Sequence, residues 1–265
     1  MRFASLGSGS EGNALIVEAS DGSVVTRVML DCGFGIRDAE RRLARLGLEP
    51  GCINAIIVTH EHGDHIGGVP RFARKHGTPV WMTYGTYVAS GLGTVAKSDA
   101  QADAFEIVLI DHHAPFSVGA LEILPFPVPH DAREPAQYVF SDGDRRLGVL
   151  TDLGSTTAHV VSMLARCDGL VLECNHDARM LAAGPYPTSL KSRVGGAYGH
   201  LDNQQAAQLL ANLQHPGLRH VVAAHLSSQN NTRELAQAAL AGALGCETEW
   251  IGIADQQEGF DWRTL

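Results

Sequence analysis

The stretch that decides the fold is residues 53–65, which read INAIIVTHEHGDH. Its first half, residues 53–58, is a largely apolar, β-branched run, which is typical of a strand buried on both faces of a sheet. Its second half contains three imidazoles and two carboxylates within six positions, and the candidate ligands among them are His60, His62, Asp64 and His65. Histidine nitrogens and carboxylate oxygens are ordinary ligands of zinc and similar divalent ions. The stretch therefore predicts a buried strand that ends directly in a metal site.

Short apolar strands alternate with amphipathic helices along the rest of the chain. Strands are predicted at residues 3–6, 14–19, 24–30, 80–83, 105–110, 121–126, 138–141, 147–151, 170–174 and 220–224. Helices are predicted at residues 37–46, 69–76, 155–165 and 204–213, and a last one runs from a cap at Asn230 or Asn231 to about residue 243. On the helix at 37–46, the spacing turns Leu43 and Leu46 inward and four arginines outward. This order predicts an α/β protein in which two β-sheets pack face to face with helices outside.

Composition excludes several classes of protein. A chain of 265 residues with 45% hydrophobic residues can bury a substantial core, which excludes intrinsic disorder. No segment has the roughly 20 apolar residues of a membrane span or the apolar run of a secretory signal. The five cysteines are scattered and form no CxxC pair, which excludes a disulfide scaffold or zinc ribbon and predicts a cytoplasmic location without membrane partners. The formal net charge of −9 disfavours nucleic-acid binding, because contacts with phosphates favour a basic surface. The 13 histidines favour a metalloprotein, because histidine is the commonest metal ligand.

The HxHxDH pattern of residues 60–65 resembles the metallo-β-lactamase superfamily, and the resemblance covers essentially the whole chain. It implies the αββα sandwich of that superfamily, with two mixed β-sheets packed face to face in a single domain over residues 1–265 that has two similar halves. In dinuclear members a third His, a bridging Asp and a last His follow at the ends of later strands. The positions that match here are His130, Asp152 and His225.

By this resemblance the chain binds two divalent ions, zinc or manganese. The first ion is assigned to His60, His62 and His130, the second to Asp64, His65 and His225, and Asp152 bridges them. Two such ions bring four positive charges to a site with two carboxylates, so the centre suits an anionic substrate. They also lower the pKa of a bridging water toward about 7, which makes hydrolysis the natural chemistry.

Two further stretches narrow the resemblance. Residues 2–13, RFASLGSGSEGN, are similar to the start of the YycJ/WalJ-type branch, which is grouped with the PhnP-like phosphodiesterases. Residues 173–177 and 199–203, ECNHD and GHLDN, are similar to the same branch and to the paired Glu and His segments of ribonuclease Z. The resemblance implies that His200 acts beside the scissile phosphate and that Glu173 orients it, with Asp64 as a further catalytic group. Helix capping is the alternative role for His200.

Basic residues around the predicted site bear on the substrate. The four arginines of the helix at 37–46 are typical of a solvated face. Arg71, Arg74 and Lys75 follow the metal motif, and Lys191 and Arg193 precede His200, where they could steer a phosphate backbone. His176 is either a substrate contact in the wall of the site or a structural residue. The candidates for substrate binding are therefore His176, Lys191 and Arg193.

These observations predict a dinuclear metal-dependent phosphodiesterase that hydrolyses its substrate with a metal-bridging hydroxide, and the branch implies a DNA exonuclease. The interval between Asp152 and His225 leaves no room for the β-CASP insertion of larger nucleases. The first alternative is a PhnP-like enzyme acting on a phosphoribosyl cyclic phosphate, although the scattered cysteines do not supply the extra zinc site of PhnP. Thioester hydrolysis of the glyoxalase II type is less favoured, because the chain ends soon after His225. The β-lactamase pattern lacks the bridging Asp.

Overall fold

The structure, a computed structural model, describes residues 1–92 and 105–265. In this part of the chain the strands form two sheets of seven strands each. The first sheet contains β1 (Arg2–Gly7), β2 (Ala14–Ser20), β3 (Val25–Leu30), β4 (Ala55–Ile57), β5 (Val80–Thr83), β6 (Ile107–Ile110) and β14 (Phe260–Thr264). The second contains β7 (Phe116–Val118), β8 (Leu121–Pro127), β9 (Ala136–Ser141), β10 (Arg146–Leu150), β11 (Gly169–Glu173), β12 (His220–Ala224) and β13 (Gly252–Ile253).

Both sheets are mixed and repeat one pattern. The strand order is β14-β1-β2-β3-β4-β5-β6 in the first sheet and β13-β12-β11-β10-β9-β8-β7 in the second. In the first sheet β3 to β6 pair in parallel and the remaining pairs are antiparallel. In the second sheet β10 to β13 pair in parallel and β7 to β10 are antiparallel. Parallel strands bring their carboxyl ends to one edge of the sheet, which is where sites form in such folds.

Helices flank the sheets, and the longer ones pack on their outer faces. They are α1 (Ile36–Arg45), α2 (Gly63–Ile66), α3 (Val69–His76), α4 (Tyr84–Ala89), α5 (Ala158–Leu164), α6 (Ala178–Ala183), α7 (Thr188–Val194), α8 (Asn203–Leu213) and α9 (Arg233–Leu244). Short 3₁₀ turns occur at Pro50–Cys52 and Thr248–Trp250. Among the helices of the described residues, none combines the length and apolar character that crossing a membrane requires.

The apolar core has three layers, which confirms the predicted αββα sandwich. One cluster lies between the sheets and takes side chains from both, among them Phe3 and Tyr138. A second packs the outer face of the first sheet, including Ile56, against Phe72 of α3. A third packs the second sheet under α5, α8 and α9, with Leu210 at its centre. Each sheet is therefore buried on both faces, which is why its central strands are apolar throughout.

The decisive strand shows this double burial residue by residue. Ala55 and Ile57 belong to the cluster between the sheets, whereas Ile56 and Val58 belong to the cluster under the helices. The strand is shorter than the predicted residues 53–58, because the 3₁₀ turn at Pro50–Cys52 delivers the chain to the sheet only at Ala55. It ends at Ile57, one residue before the predicted end, and Val58 and Thr59 lead from it to the histidine motif.

Two local predictions were wrong. Arg42 was expected to face outward, but it is 5% exposed, and its guanidinium donates to the carbonyls of Leu6 (2.7 Å) and Gln256 (3.2 Å) and stacks on the ring of Phe34. The last helix is capped by Thr232, whose hydroxyl accepts from the amide of Leu235, not by Asn230 or Asn231. Both differences arise from contacts with distant residues that helical spacing does not encode.

Candidate metal centre and active site

The candidate site lies at the carboxyl ends of strands from both sheets. The motif of residues 60–65 follows β4, and Asp31 follows β3, its parallel neighbour. In the second sheet, Asp152 follows β10 and His225 follows β12. His130 follows β8, which runs in the same direction as β10 because β9 is antiparallel to both. The topology thus gathers side chains from five strand ends at one edge of the sandwich.

The first group of donors is His60, His62 and His130. Nε2 of His60 lies 2.9 Å from Nδ1 of His62, and that atom lies 3.3 Å from Nε2 of His130. Two nitrogens bound to one tetrahedral zinc at 2.0–2.1 Å are about 3.3 Å apart, so this spacing fits a shared ion. Burial lowers the pKa of His60 and of His130, which keeps their rings neutral and able to ligate.

Second contacts aim these rings. Nδ1 of His130 donates to the carbonyl of Gly199 at 3.0 Å, which leaves Nε2 free for an ion. The Thr59 hydroxyl donates to Asp31 at 2.9 Å, so it can accept from Nδ1 of His60 at 3.0 Å. Because Nδ1 of His60 is engaged by Thr59, Nε2 of His60 is left as the ligating atom. Such outer contacts set the tautomer and orientation of a ligating histidine.

The second group of donors is Asp64, His65 and His225. Oδ2 of Asp64 lies 3.4 Å from Nε2 of His65 and 3.3 Å from Nε2 of His225. Burial raises the pKa of the Asp64 carboxyl, but hydrogen bonds from His225 and His65 outweigh burial and hold it well below its usual range. Burial lowers the pKa of His225, yet Asp152 and Asp64 raise it to about 10. The carboxylates of this half therefore favour positive charge at the position where the donors meet.

Asp152 joins the two groups and supplies the test of whether metal fits. It is 1% exposed, with Oδ2 at 3.1 Å from Nε2 of His65 and Oδ1 at 3.7 Å from Nε2 of His130. Burial raises its pKa, but the charges of His225 and His65 outweigh burial and keep the carboxyl ionised. The His65 ring nitrogen is itself a candidate ligand, and no other described residue donates a hydrogen bond to Oδ2. A buried, ionised oxygen with so few partners is costly, and a divalent cation would satisfy it.

Asp31 is a site residue that the sequence analysis missed. Its Oδ2 accepts from Nδ1 of His65 at 2.8 Å, and the amide and hydroxyl of Thr59 also donate to its carboxylate. It is 2% exposed and adopts a left-handed backbone conformation with φ of 60°. A signal was present, because Asp31 directly follows a predicted strand, as His225 and the other candidates do.

The N-terminal stretch of residues 2–13 holds the second donor group from outside. The amide oxygen of Asn13 accepts from the hydroxyl of Ser8 (3.0 Å) and the amide of Gly9 (2.8 Å), which turns Nδ2 toward Asp64. The Ser8 hydroxyl in turn accepts from the backbone amide of His225 at 2.9 Å. The loop between β1 and β2 therefore ties together two donors that come from different sheets.

Glu173 and His200 form a second functional pair beside the donors. Oε2 of Glu173 accepts from the amides of Leu153 (2.9 Å) and Leu201 (3.1 Å), and Oε1 accepts from Nδ1 of His200 at 2.6 Å. Burial raises the pKa of the Glu173 carboxyl, but the contact with His200 lowers that pKa by more than burial raises it. The carboxyl therefore stays ionised. The backbone amides fix the carboxylate through Oε2, and its other oxygen is engaged by the His200 ring, so we assign Glu173 to orienting His200.

The alternative role of His200 as a helix cap is not used. Helix α8 is capped by Asp202, whose side chain accepts from the amides of Gln204 and Gln205, and the Gln205 side chain completes a capping box. His200 instead lies in the wall of a cavity of about 380 Å³ with its side chain 20% exposed. Because Glu173 engages Nδ1, Nε2 is the ring atom left for a substrate.

The three substrate-binding candidates are placed differently. Arg193 lines the cavity, and its Nε donates to Oδ2 of Asp131 at 2.5 Å. Lys191 donates to the carbonyl of Ala182 at 2.7 Å, and His176 is 3% exposed. Neither of these two is among the described residues that line the cavity.

A family model described as "Beta-lactamase superfamily domain" matches residues 26–226. The chain is 32% identical to exodeoxyribonuclease YycJ of Bacillus anthracis, over 98% of this chain and 95% of that protein. It is 29% identical to exodeoxyribonuclease WalJ of Streptococcus pneumoniae, over 95% of this chain and 91% of that protein. The metallo-β-lactamase fold protein YhfI from Bacillus subtilis superposes with a TM-score of 0.73 at 15% identity, over 99% and 98% of the two chains.

Proposed function

Because this chain belongs to the β-lactamase superfamily, we propose that it is a phosphodiesterase that uses two divalent ions and degrades DNA as an exonuclease. The observation that carries the proposal is the position of Asp152 between two groups of three donors, with the Glu173–His200 pair beside them. Relatives named exodeoxyribonuclease, matched over nearly the whole chain, support DNA as the substrate.

The donors present would hold the two ions as predicted from the sequence. His60, His62 and His130 would hold one, Asp64, His65 and His225 the other, and Asp152 would contact both. Nitrogen and carboxylate oxygen donors of this kind suit zinc or manganese. Bound there, the ions would supply Lewis-acid stabilisation of phosphoryl charge and water of lowered pKa.

His200 would hold the proton that the leaving oxygen needs. Its Nδ1 is committed to the Glu173 carboxylate at 2.6 Å, and its other nitrogen belongs to the cavity wall. The contacts of Glu173 with the amides of Leu153 and Leu201 prevent its carboxylate from turning away from the ring. A positioned acid of this type contributes about 10²–10⁴-fold to the rate.

The net charge of the chain and its free cysteines are compatible with a cytoplasmic enzyme that acts on DNA. The net charge of −9 does not exclude DNA, because two bound divalent ions would make the cavity locally more positive than the chain as a whole. All five cysteines are free, and Cys32, Cys167 and Cys174 are buried, which supports a reducing, cytoplasmic location.

Metal analysis and a substrate panel test this proposal. Purified protein should carry close to two divalent ions per chain, and Asp152→Ala should lose at least one, whereas the exposed turn variant Asp144→Ala should lose none. With manganese or zinc, we expect turnover of 5′-phosphorylated duplex DNA or single-stranded DNA in a panel that includes RNA, a cyclic phosphoribose and a lactoyl thioester. Turnover of the thioester or the cyclic ester alone, or unchanged metal content in Asp152→Ala, would contradict the proposal.

A further inference from the structure

An ion pair lies in the cavity wall just beyond the first donor group. Oδ2 of Asp131 accepts from Nε of Arg193 at 2.5 Å. The other carboxylate oxygen, Oδ1, lies 3.5 Å from Nε2 of His130 and 3.8 Å from Nε2 of His62. Asp131 therefore separates the guanidinium from these ligand rings by the width of one carboxylate.

We infer that Asp131 is a positioning residue that holds Arg193 to bind a second phosphate, the neighbour of the scissile phosphodiester. The inference rests on the proposed function and narrows its substrate to one that carries more than one phosphate. A DNA strand has such a neighbouring phosphate, and a nucleoside cyclic monophosphate does not.

The free edge of Arg193 is suited to a phosphate. Asp131 engages only Nε, and the two terminal nitrogens form no hydrogen bond with other described residues. The Arg193 side chain is 60% exposed, so these donors are accessible from the cavity. A planar guanidinium with free donors matches the oxygens of a phosphate better than an ammonium group does.

The backbone that carries Arg193 is fixed relative to the donors. The His200 amide donates to the carbonyl of Val194 at 2.8 Å, and a Cβ on Gly199 would lie 2.1 Å from the Arg193 carbonyl oxygen. Only glycine allows this close approach. The Gly199 carbonyl in turn accepts from the His130 ring. Arg193 and His200 are thus the two ends of one compact segment that packs on a metal-donor residue.

Few cationic side chains other than Arg193 could bind a second phosphate in the cavity. Of the described residues that line the cavity, Arg193 is the one arginine or lysine, and Lys191 is bonded to the Ala182 carbonyl. A free arginine loses rotamer entropy when it binds, and the contact with Asp131 removes part of that loss in advance. This gain in preorganisation explains why the Asp131 carboxylate lies in a cavity that binds an anionic substrate.

The test compares dinucleotides with and without an extra phosphate. For the wild type, kcat/KM should be about 10- to 100-fold higher for a thymidine dinucleotide with a 5′ or 3′ terminal phosphate than for the unphosphorylated one. In Arg193→Gln this ratio should fall toward one. Asp131→Asn should lower it about tenfold, and the double variant should match Arg193→Gln, because Asp131 acts through Arg193. Arg219→Gln, which removes the same charge before the start of β12, should keep the wild-type ratio.

The outcomes separate the inference from the function. Wild-type protein that cleaves no phosphodiester would contradict the proposed function and the inference with it. Cleavage of DNA with a ratio near one, a ratio that survives Arg193→Gln, or single effects that multiply in the double variant would contradict the inference alone. Loss of bound metal in Asp131→Asn would do the same, because Asp131 would then act on His62 and His130.

Discussion

At the scale of single residues, several side chains of the site are oriented by a second contact. His65 is held by Asp31, His130 by the Gly199 carbonyl and His200 by Glu173. Local sequence predicted the donors but missed Asp31, because a lone carboxylate after a strand has no motif around it. The orienting groups come from other strands, so only the packed chain shows which of them meet.

His200 carries the residue-scale prediction. We expect His200→Ala to lower kcat on DNA by about 10²–10⁴-fold, because the leaving oxygen loses its proton donor. Metal content should stay near the wild-type level, since Nδ1 of His200 is engaged by Glu173 and His200 is not one of the proposed ligands. His159→Ala, a histidine of α5 outside the cavity lining, is the matched control. A His200→Ala enzyme with nearly normal kcat would refute the catalytic role.

At the scale of elements, α1 shows how tertiary contacts override helical patterning. The helix forms as predicted, one residue earlier, over Ile36–Arg45. Its Arg42 nevertheless faces the protein, where the side chain satisfies carbonyls of β1 and of the loop before β14. Helical periodicity assigns an arginine to solvent, because burial of a charge is costly unless specific acceptors are present. The acceptors here lie far away in sequence.

Arg42 therefore gives the prediction at the scale of elements. Arg42→Met should lower the free energy of unfolding by about 1–3 kcal/mol, because the carbonyls of Leu6 and Gln256 lose a charged donor. Arg41 precedes Arg42 in the sequence and forms an exposed ion pair with Asp38. Arg41→Met should change the free energy of unfolding by about 0.5 kcal/mol or less. Urea denaturation of both variants measures the difference. Equal effects would mean that the buried contacts contribute little.

At the scale of the whole molecule, the metal centre connects the two sheets. His60, His62, Asp64 and His65 follow a strand of the first sheet, and His130, Asp152 and His225 follow strands of the second. Ions held by both sets would stabilise the folded chain over the unfolded one, since the unfolded chain does not assemble the donors.

Chelation tests that connection. Removal of the ions should lower the melting temperature by about 5–10 °C, given about 2.7 kcal/mol from a ligand at 100 times its Kd and about 2–4 °C per kcal/mol. Added manganese or zinc should restore it. Asp152→Ala should respond less, and Asp144→Ala should respond as the wild type does. An unchanged melting temperature after verified loss of metal would show that the centre does not contribute to stability.

The sequence by itself determined the sandwich and the set of candidate donors. Apolar runs, their lengths and the polar residues at their ends are local features, and they predict which strands are buried and which side chains stand at the sheet edge. The resemblance to the metallo-β-lactamase superfamily then selects His130, Asp152 and His225 among these side chains. Short elements such as α6, α7, β7 and β13 were not predicted, because their few residues are stabilised by neighbours and not by their own pattern.

Only the tertiary structure decided which side chains meet across the chain. It paired Arg193 with Asp131, directed Lys191 to a carbonyl of α6, buried Arg42 and set Asp31 behind His65. Each of these contacts joins residues that are separate in sequence or turns a side chain away from the face its spacing suggests. The physical reason is that a polar group takes the partner that folding brings within hydrogen-bond distance, and this depends on how the two sheets and their helices pack.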